Sequence, residues 1–284
     1  MIYEEKTLKD LLMTIDNNRV VMDDNFRDIV MESMLAHIGS LDPVLRDQLI
    51  YSKFVKLIGD SLISQRKMAS IFDTCLDQDH LFYRIGETNT DSVFTRSFSS
   101  LVIALILTED SKTSFIDSKK IQEITKTILR YLHEEKDTRG FVEDKGWAHS
   151  IAHGADMLAA LVNHIHFPAE SFPNVHKAIQ ECLLKGIVYR DEEEERLIFV
   201  VEALLERGLE QHVLNSWIKC LSSSLEKEQV RDGQALFNYR NKITVTNFMK
   251  AFYFRLKLIH PNKQLLECLE SEIHYWFKKS FSRG

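Results

Sequence analysis

Three observations predict an all-α fold. First, glycine (10) and proline (4) are scarce in a chain of 284 residues, where an ordinary protein carries roughly 12 % of the two together. Sheets joined by tight turns need a turn signal every ~8–12 residues, and this chain does not supply them. Second, apolar residues recur at helical spacing along nearly the whole length, and strand-like alternation is confined to Ile243–Thr246, where a helix is the better reading. Third, capping side chains and helix-stopping glycines punctuate these stripes.

The elements follow in order. Leu8, Leu11, Leu12 and Ile15 form the first stripe; Phe26, Ile29, Val30, Met34 and Ile38 form the second, closed by Gly39. Asp42–Pro43 reads as a helix start, a capping side chain followed by proline at the first helical position, and the helix Val44–Ile58 ends at Gly59. Ser64 opens a helix through Leu76, Asp91 opens the apolar Val93–Leu107, and Asp117 or Ser118 opens Ile121–Leu132. Helices are then expected over Trp147–His164, Val175–Val188, Glu192–Leu205, Val213–Leu225, Asn238–Ile259 and Asn262–Phe277, with the acidic run Asp191–Glu195 as a solvated first turn. Pro168–Pro173 and Arg231–Gly233 read as loops, and Lys278–Arg283 as a frayed basic tail. Short connections favour antiparallel helix hairpins stacked as a HEAT-like or ARM-like curved array in a single domain, 1–284; a compact helical bundle is the competing arrangement.

Composition narrows the function classes. With 44 % hydrophobic and 27 % charged residues, the chain is globular and not disordered. A net charge of -6 argues against a nucleic-acid partner, which would call for a basic stripe. Cys75, Cys182, Cys220 and Cys268 form no C-x-x-C pair, so each reads as a small core residue, and a reducing, cytoplasmic setting is expected. The N-terminus lacks the apolar stretch of a signal peptide, and no run reaches the ~18 apolar residues of a membrane span. P-loop, dinucleotide and nucleophile-elbow motifs are absent. His37 and His80 read as partners of helix C-termini, and Phe252, Tyr253 and Phe254 as core.

The informative stretch is Glu134–His166. On a helix over Trp147–His164, His149, His153, Asp156, Asn163 and His164 share one face, while Ile151, Ala155, Leu158 and Val162 share the other. From Ser150 to Ala169 Asp156 is the only charged residue, and Ala152, Gly154, Ala155, Ala159 and Ala160 are small. Such a helix is expected to be enclosed, with its polar face on a pocket or a buried network. His149 and His153 have the i, i+4 spacing that lets two imidazoles reach one divalent metal. Buried hydrogen bonding and acid–base work by a histidine are the other two readings. Arg96 lies in an otherwise uncharged helix and needs an anionic partner; Asp156, Asp137 and Asp47 are the candidates, or a ligand anion clamped with help from Arg46–Asp47 and Arg139. Trp147 serves as a packing anchor or a stacking platform.

The blocks His37–Tyr51 (HIGSLDPVLRDQLIY), Thr90–Leu101 (TDSVFTRSFSSL), Glu134–Leu158 (EEKDTRGFVEDKGWAHSIAHGADML) and Glu193–Phe199 (EEERLIF) resemble an uncharacterised bacterial family known as domain of unknown function 2785. The resemblance spans most of residues 35–205 and implies an all-helical, HEAT-like array with no established reaction. The expectation for function is a cytoplasmic protein binding a small or anionic ligand on a concave side lined by Arg96, Arg139, Trp147, His149, His153 and Asp156. The alternatives are a metal-dependent hydrolase-type enzyme using His149 and His153, and a scaffold whose ligand is another protein.

Overall fold

A computed structural model describes residues 2–18, 23–229, 235–259 and 262–281. The described chain is all-α: α1 (Glu5–Asn18), α2 (Asp24–Ala36), a π-helical segment (Val44–Tyr51), α3 (Ser52–Gly59), α4 (Gln65–Cys75), α5 (Ser92–Thr113) and α6 (Ser118–Glu134) come first. A small hairpin, β1 (Phe141–Val142) and β2 (Gly146–Trp147), precedes α7 (Ser150–Asn163). A 3-10 turn (Ala169–Ser171) leads to α8 (Phe172–Leu183), α9 (Glu193–Glu206), α10 (Gln211–Gln229), α11 (Ala235–Ile259) and α12 (Lys263–Phe281). Ile243–Thr246 lies inside α11. The expected loop Arg231–Gly233 falls outside the described residues; of the expected tail, Lys278 and Lys279 are helical and residues 282–284 fall outside.

The chain divides into two compact units, Met1–Phe167 and Pro168–Gly284. In the first, α5 is the core: α7 packs along it, α3 and α4 contact it, and α6 packs on α7. The helix α5 is long and apolar enough, by length and composition, to cross a membrane, although no such stretch was expected. Of its apolar window, 83 % is buried, as in the core helix of a folded unit. In the second unit α11 contacts α8, α9, α10 and α12.

Several helix starts follow the capping logic. Asp23, Ser64 and Asp117 accept from the backbone N–H groups of Phe26, Lys67 and Lys120. Asp91 does not cap α5; its carboxylate accepts from Lys145 Nζ at 2.8 Å instead. The expected helix Val44–Ile58 is two segments, because Val44–Tyr51 is π-helical. Other expectations need correction. Cys220 is exposed, while Cys75, Cys182 and Cys268 are buried. Phe254 is exposed whereas Phe252 is buried. Glu193 and Glu194 are buried rather than solvated, and burial pushes both carboxyls above their ordinary pKa.

Candidate functional site

The polar stretch before α7 folds differently from the helical-face expectation. Helix α7 starts at Ser150, so Trp147 stands in β2 and His149 is the N-cap. The hairpin pairs Phe141 with Trp147 and Val142 with Gly146. Gly146 has φ +77, and a Cβ there would lie 2.9 Å from Pro43 Cβ and 3.1 Å from Arg46 Nη2. Only glycine meets both demands. Two backbone bonds then hold the strand exit: Ala148 N–H donates to Gly140 O at 2.8 Å and His149 N–H to Arg139 O at 3.0 Å.

His149 itself is left-handed, with φ 47 and ψ 35, and its side chain makes no cap hydrogen bond. Its carbonyl still accepts the first bond of α7, from His153 N–H at 2.8 Å. That conformation costs a non-glycine residue roughly 1–2 kcal/mol. It also aims the imidazole between Trp147 and His153. The indole of Trp147 stacks on His149, ring centroids 4.4 Å apart, and His149 meets His153 edge to face at 5.6 Å. The series continues from His153 to Phe98 at 5.4 Å and from Phe98 to Tyr51 at 6.2 Å; at the other end Phe141 meets Trp147 at 5.0 Å. Six rings thus run in sequence from the π-helical segment across α5 and α7 to the hairpin. Phe141 and Trp147 are the exposed end, at 56 % and 41 %.

The His153 end is anchored. The buried Ser97 hydroxyl donates to Ala148 O, and Ser97 Oγ lies 2.7 Å from His153 Nδ1. A carbonyl only accepts, so the one Ser97 proton is used there and His153 Nδ1 must carry the hydrogen of the second bond. Neutral His153 therefore keeps its lone pair on Nε2. In this arrangement the Ser97 hydroxyl proton points to Ala148 O and not to His153.

Beneath Phe98 lies Arg46, fully buried, its guanidinium 4.3 Å from the Phe94 ring centre and 4.8 Å from that of Phe98. It donates to Ser40 O at 2.6 Å and Lys145 O at 2.7 Å, and pairs with Asp47 at 2.8 Å. Burial outweighs the attraction within this pair, lowering the pKa of Arg46 and raising that of Asp47.

Arg96 and Arg139 belong to a second, closed network. Arg96 is fully buried and its partner is Glu135, not Asp156, Asp137 or Asp47. The pair is bidentate, Nε to Oε2 at 2.6 Å and Nη2 to Oε1 at 2.9 Å, while Nη1 donates to Tyr83 O and Ser92 Oγ, each at 2.9 Å. Burial opposes the Arg96 charge, but the hydrogen bonds and charge of Glu135 prevail and hold its pKa above the ordinary value. Arg139 grips the buried Asp137 through Nε at 2.9 Å and Nη2 at 2.7 Å, and donates to Thr90 O at 2.5 Å. Glu135 Oε1 accepts Asp137 N–H at 2.9 Å, and the Ser150 hydroxyl donates to Asp137 O. Both guanidiniums are thus held by carboxylates and carbonyls of the protein. Their effect is to fix the loop whose carbonyl at Arg139 holds His149.

The expected polar face is therefore divided. Trp147, His149 and His153 meet at the N-terminal end of α7. At its other end the buried His164 pairs with buried Asp110 at 2.8 Å, and Asp110 also accepts from Phe115 and Ile116 N–H groups, a loop pin. Asp156 is half-buried on α7 between the two. Gly154 allows the close approach of α6: a Cβ would sit 2.8 Å from Leu132 Cδ2 and 3.2 Å from Tyr131 Cε1. Ser97, Phe98, Glu135 and Phe141 were not foreseen as parts of the assembly; Arg46 was expected beside Arg96 and Arg139 but instead pairs with Asp47 beneath Phe98. Ser97 could have been, as a polar residue beside Arg96 in an apolar helix. Glu135 sits among other charged residues in the sequence and carries no local sign of burial.

No curated protein and no solved structure matches the chain. A family model described as "Protein of unknown function (DUF2785)" matches residues 81–254. The matched stretch leaves out the His37–Tyr51 block and contains Arg96, Arg139, Trp147, His149, His153 and Asp156. It covers more than half of the sequence, and the chain belongs to the DUF2785 family.

Proposed function

We propose that this protein binds a small planar ligand at the exposed end of the ring series, with Trp147 as stacking surface and His149 and His153 as polar partners. The observation that carries this reading is the left-handed His149. A helix N-cap is ordinarily Ser, Thr, Asp, Asn or Gly, and strain at a histidine held by a fixed loop is the kind that collects at ligand sites. With the charges of Arg96 and Arg139 already answered by Glu135 and Asp137, an aromatic or heteroaromatic ring is a better-matched ligand than a simple anion. Included in the proposal are the cytoplasmic setting and a HEAT-like or ARM-like stacking of helix pairs within each unit, for which pairs such as α5 with α7 and α11 with α12 are suitable pieces.

The test uses tryptophan emission. Trp217 and Trp276 are buried, so an added aromatic probe should quench Trp147. Adenine and benzoate titrated into the wild type should give saturable quenching with at least one of the two probes. Trp147→Phe should remove the signal, and His149→Gly should weaken binding by about tenfold, a loss of roughly 1.4 kcal/mol. Quenching unchanged in His149→Gly would refute the proposal.

A second reading, a hydrolase-type enzyme with a divalent metal, rests on the 5.6 Å between the His149 and His153 rings. Two imidazoles are part of the three or four ligands that zinc takes. Calorimetric titration with zinc, repeated on His153→Ala, separates the readings: stoichiometric binding lost in the variant supports the metal.

A further inference from the structure

We propose that the groove between α11 and α12, in the second unit, docks an acidic amphipathic segment of a partner protein. The groove has a volume of about 170 Å³ and is walled by Tyr239, Lys242, Lys250, Ile273, Phe277 and Phe281. Three of its aromatic side chains are well exposed: Tyr239 at 55 %, Phe277 at 61 % and Phe281 at 72 %. Phe277 and Phe281 lie one helical turn apart with ring centroids separated by 5.4 Å. A single exposed apolar residue needs no explanation, but a contiguous set around a depression marks an interaction surface.

Charge selects the occupant. Residues 235–281 contain eight Lys and Arg against three Asp and Glu, and with Arg255 and Lys279 paired to Glu202 and Glu226 of neighbouring helices the excess is still +3 in a chain whose overall charge is -6. Two of these cations edge the groove. Lys242 is held in place, its ammonium 4.8 Å from the Tyr239 ring centre and donating to Ser280 Oγ at 3.1 Å. Lys250 stands two turns further along α11. An apolar floor with ammonium groups at its edge complements large apolar side chains flanked by carboxylates. Size excludes the usual small-molecule alternative, since drug-sized ligands occupy roughly 300–1,000 Å³, whereas this groove takes one or two side chains. Shape disfavours a lipid surface, which engages a projecting apolar face rather than a recess.

Fluorescence anisotropy on the full chain tests the inference. The probe is a short fluorescein-labelled helical peptide with Leu and Phe one turn apart between glutamates; its counterpart has lysines in place of the glutamates. The acidic peptide should bind, weaken as salt is raised, and lose about tenfold or more in affinity on Lys242→Glu/Lys250→Glu. Phe277→Ser should weaken it as well, while leaving the helix content measured by circular dichroism unchanged. Equal binding of both peptides, or binding of neither, would overturn the inference. So would self-association by light scattering that the same variants abolish, or cosedimentation with phosphatidylserine vesicles in place of peptide binding.

Discussion

Ser97 Oγ lies 2.7 Å from His153 Nδ1 and donates its own proton to the carbonyl of Ala148. One hydroxyl on α5 thereby sets the tautomer of a histidine on α7 and ties down the residue preceding His149. Ser97→Ala should release both. Nitrogen NMR of the wild type should show His153 protonated at Nδ1 when neutral, and the variant should show a mixture of tautomers. Loss of the pair should lower stability by about 1–3 kcal/mol in urea denaturation. An unchanged His153 spectrum would contradict the assignment.

The Arg96–Glu135 pair is fully enclosed, with both side chains at 0 % exposure. Glu135→Gln leaves a buried guanidinium without its counter-charge and should destabilise the chain by about 3–5 kcal/mol. Combining Arg96→Met with Glu135→Leu should recover much of that loss, because the desolvation penalty goes with the charges. A double-mutant cycle by denaturant unfolding measures this; additive losses would mean the two charges do not act as a pair.

His149 separates backbone strain from side-chain function. With φ 47, His149→Gly relieves the left-handed penalty, and His149→Ala retains it while removing the ring contacts. The glycine variant should be more stable than the alanine variant by about 1 kcal/mol. Thermal unfolding of the two proteins side by side is the measurement; the reverse order would show that the backbone is not strained.

Gly154→Ala brings a competing pair of effects. Alanine gains about 1 kcal/mol in helix propensity, but its methyl would lie 2.8 Å from Leu132 Cδ2, and Leu132 is fully buried. Overpacking of this kind costs roughly 1–3 kcal/mol. The expected sum is neutral to mildly destabilising, in contrast to the gain seen at an exposed helical glycine, and calorimetric melting reads the difference.

In the second unit His176 is buried and stacked on Trp217 with ring centroids 5.0 Å apart. Burial lowers its pKa from 6.5 to about 4. The folded chain therefore holds it neutral where the unfolded chain takes up a proton. Stability should fall as pH drops from 6.5 toward 4, by up to about 1.4 kcal/mol per pH unit from this group. Above that window the group contributes no slope. His176→Phe keeps an aromatic face and removes the titration, so its stability should depend less steeply on pH there; identical slopes would contradict the assignment.

Much of the helical layout was legible from local patterns, because stripe spacing and capping chemistry act over a few residues. Asp23, Ser64 and Asp117 cap helices through bonds that span three positions. The hairpin was not legible. Phe141 and Trp147 are strand residues in elements of two residues each, too short to leave an alternation, and Gly146 reads as glycine without revealing the neighbours that demand it. The N-terminal boundary of α7 shifted for the same reason, and with it the place of His149 on the helical face.

The amino-acid sequence by itself determined that the chain is built of helices and that the Glu134–His166 stretch is chemically unlike the rest. Both follow from composition and periodicity, which are local. Only the tertiary structure decided that Arg96 answers Glu135, that Arg139 answers Asp137, and that the imidazoles of His149 and His153 lie between Trp147 and Phe98. A buried charge is stabilised by whichever counter-charge the packing brings within reach, and that choice is made across tens of residues of intervening chain.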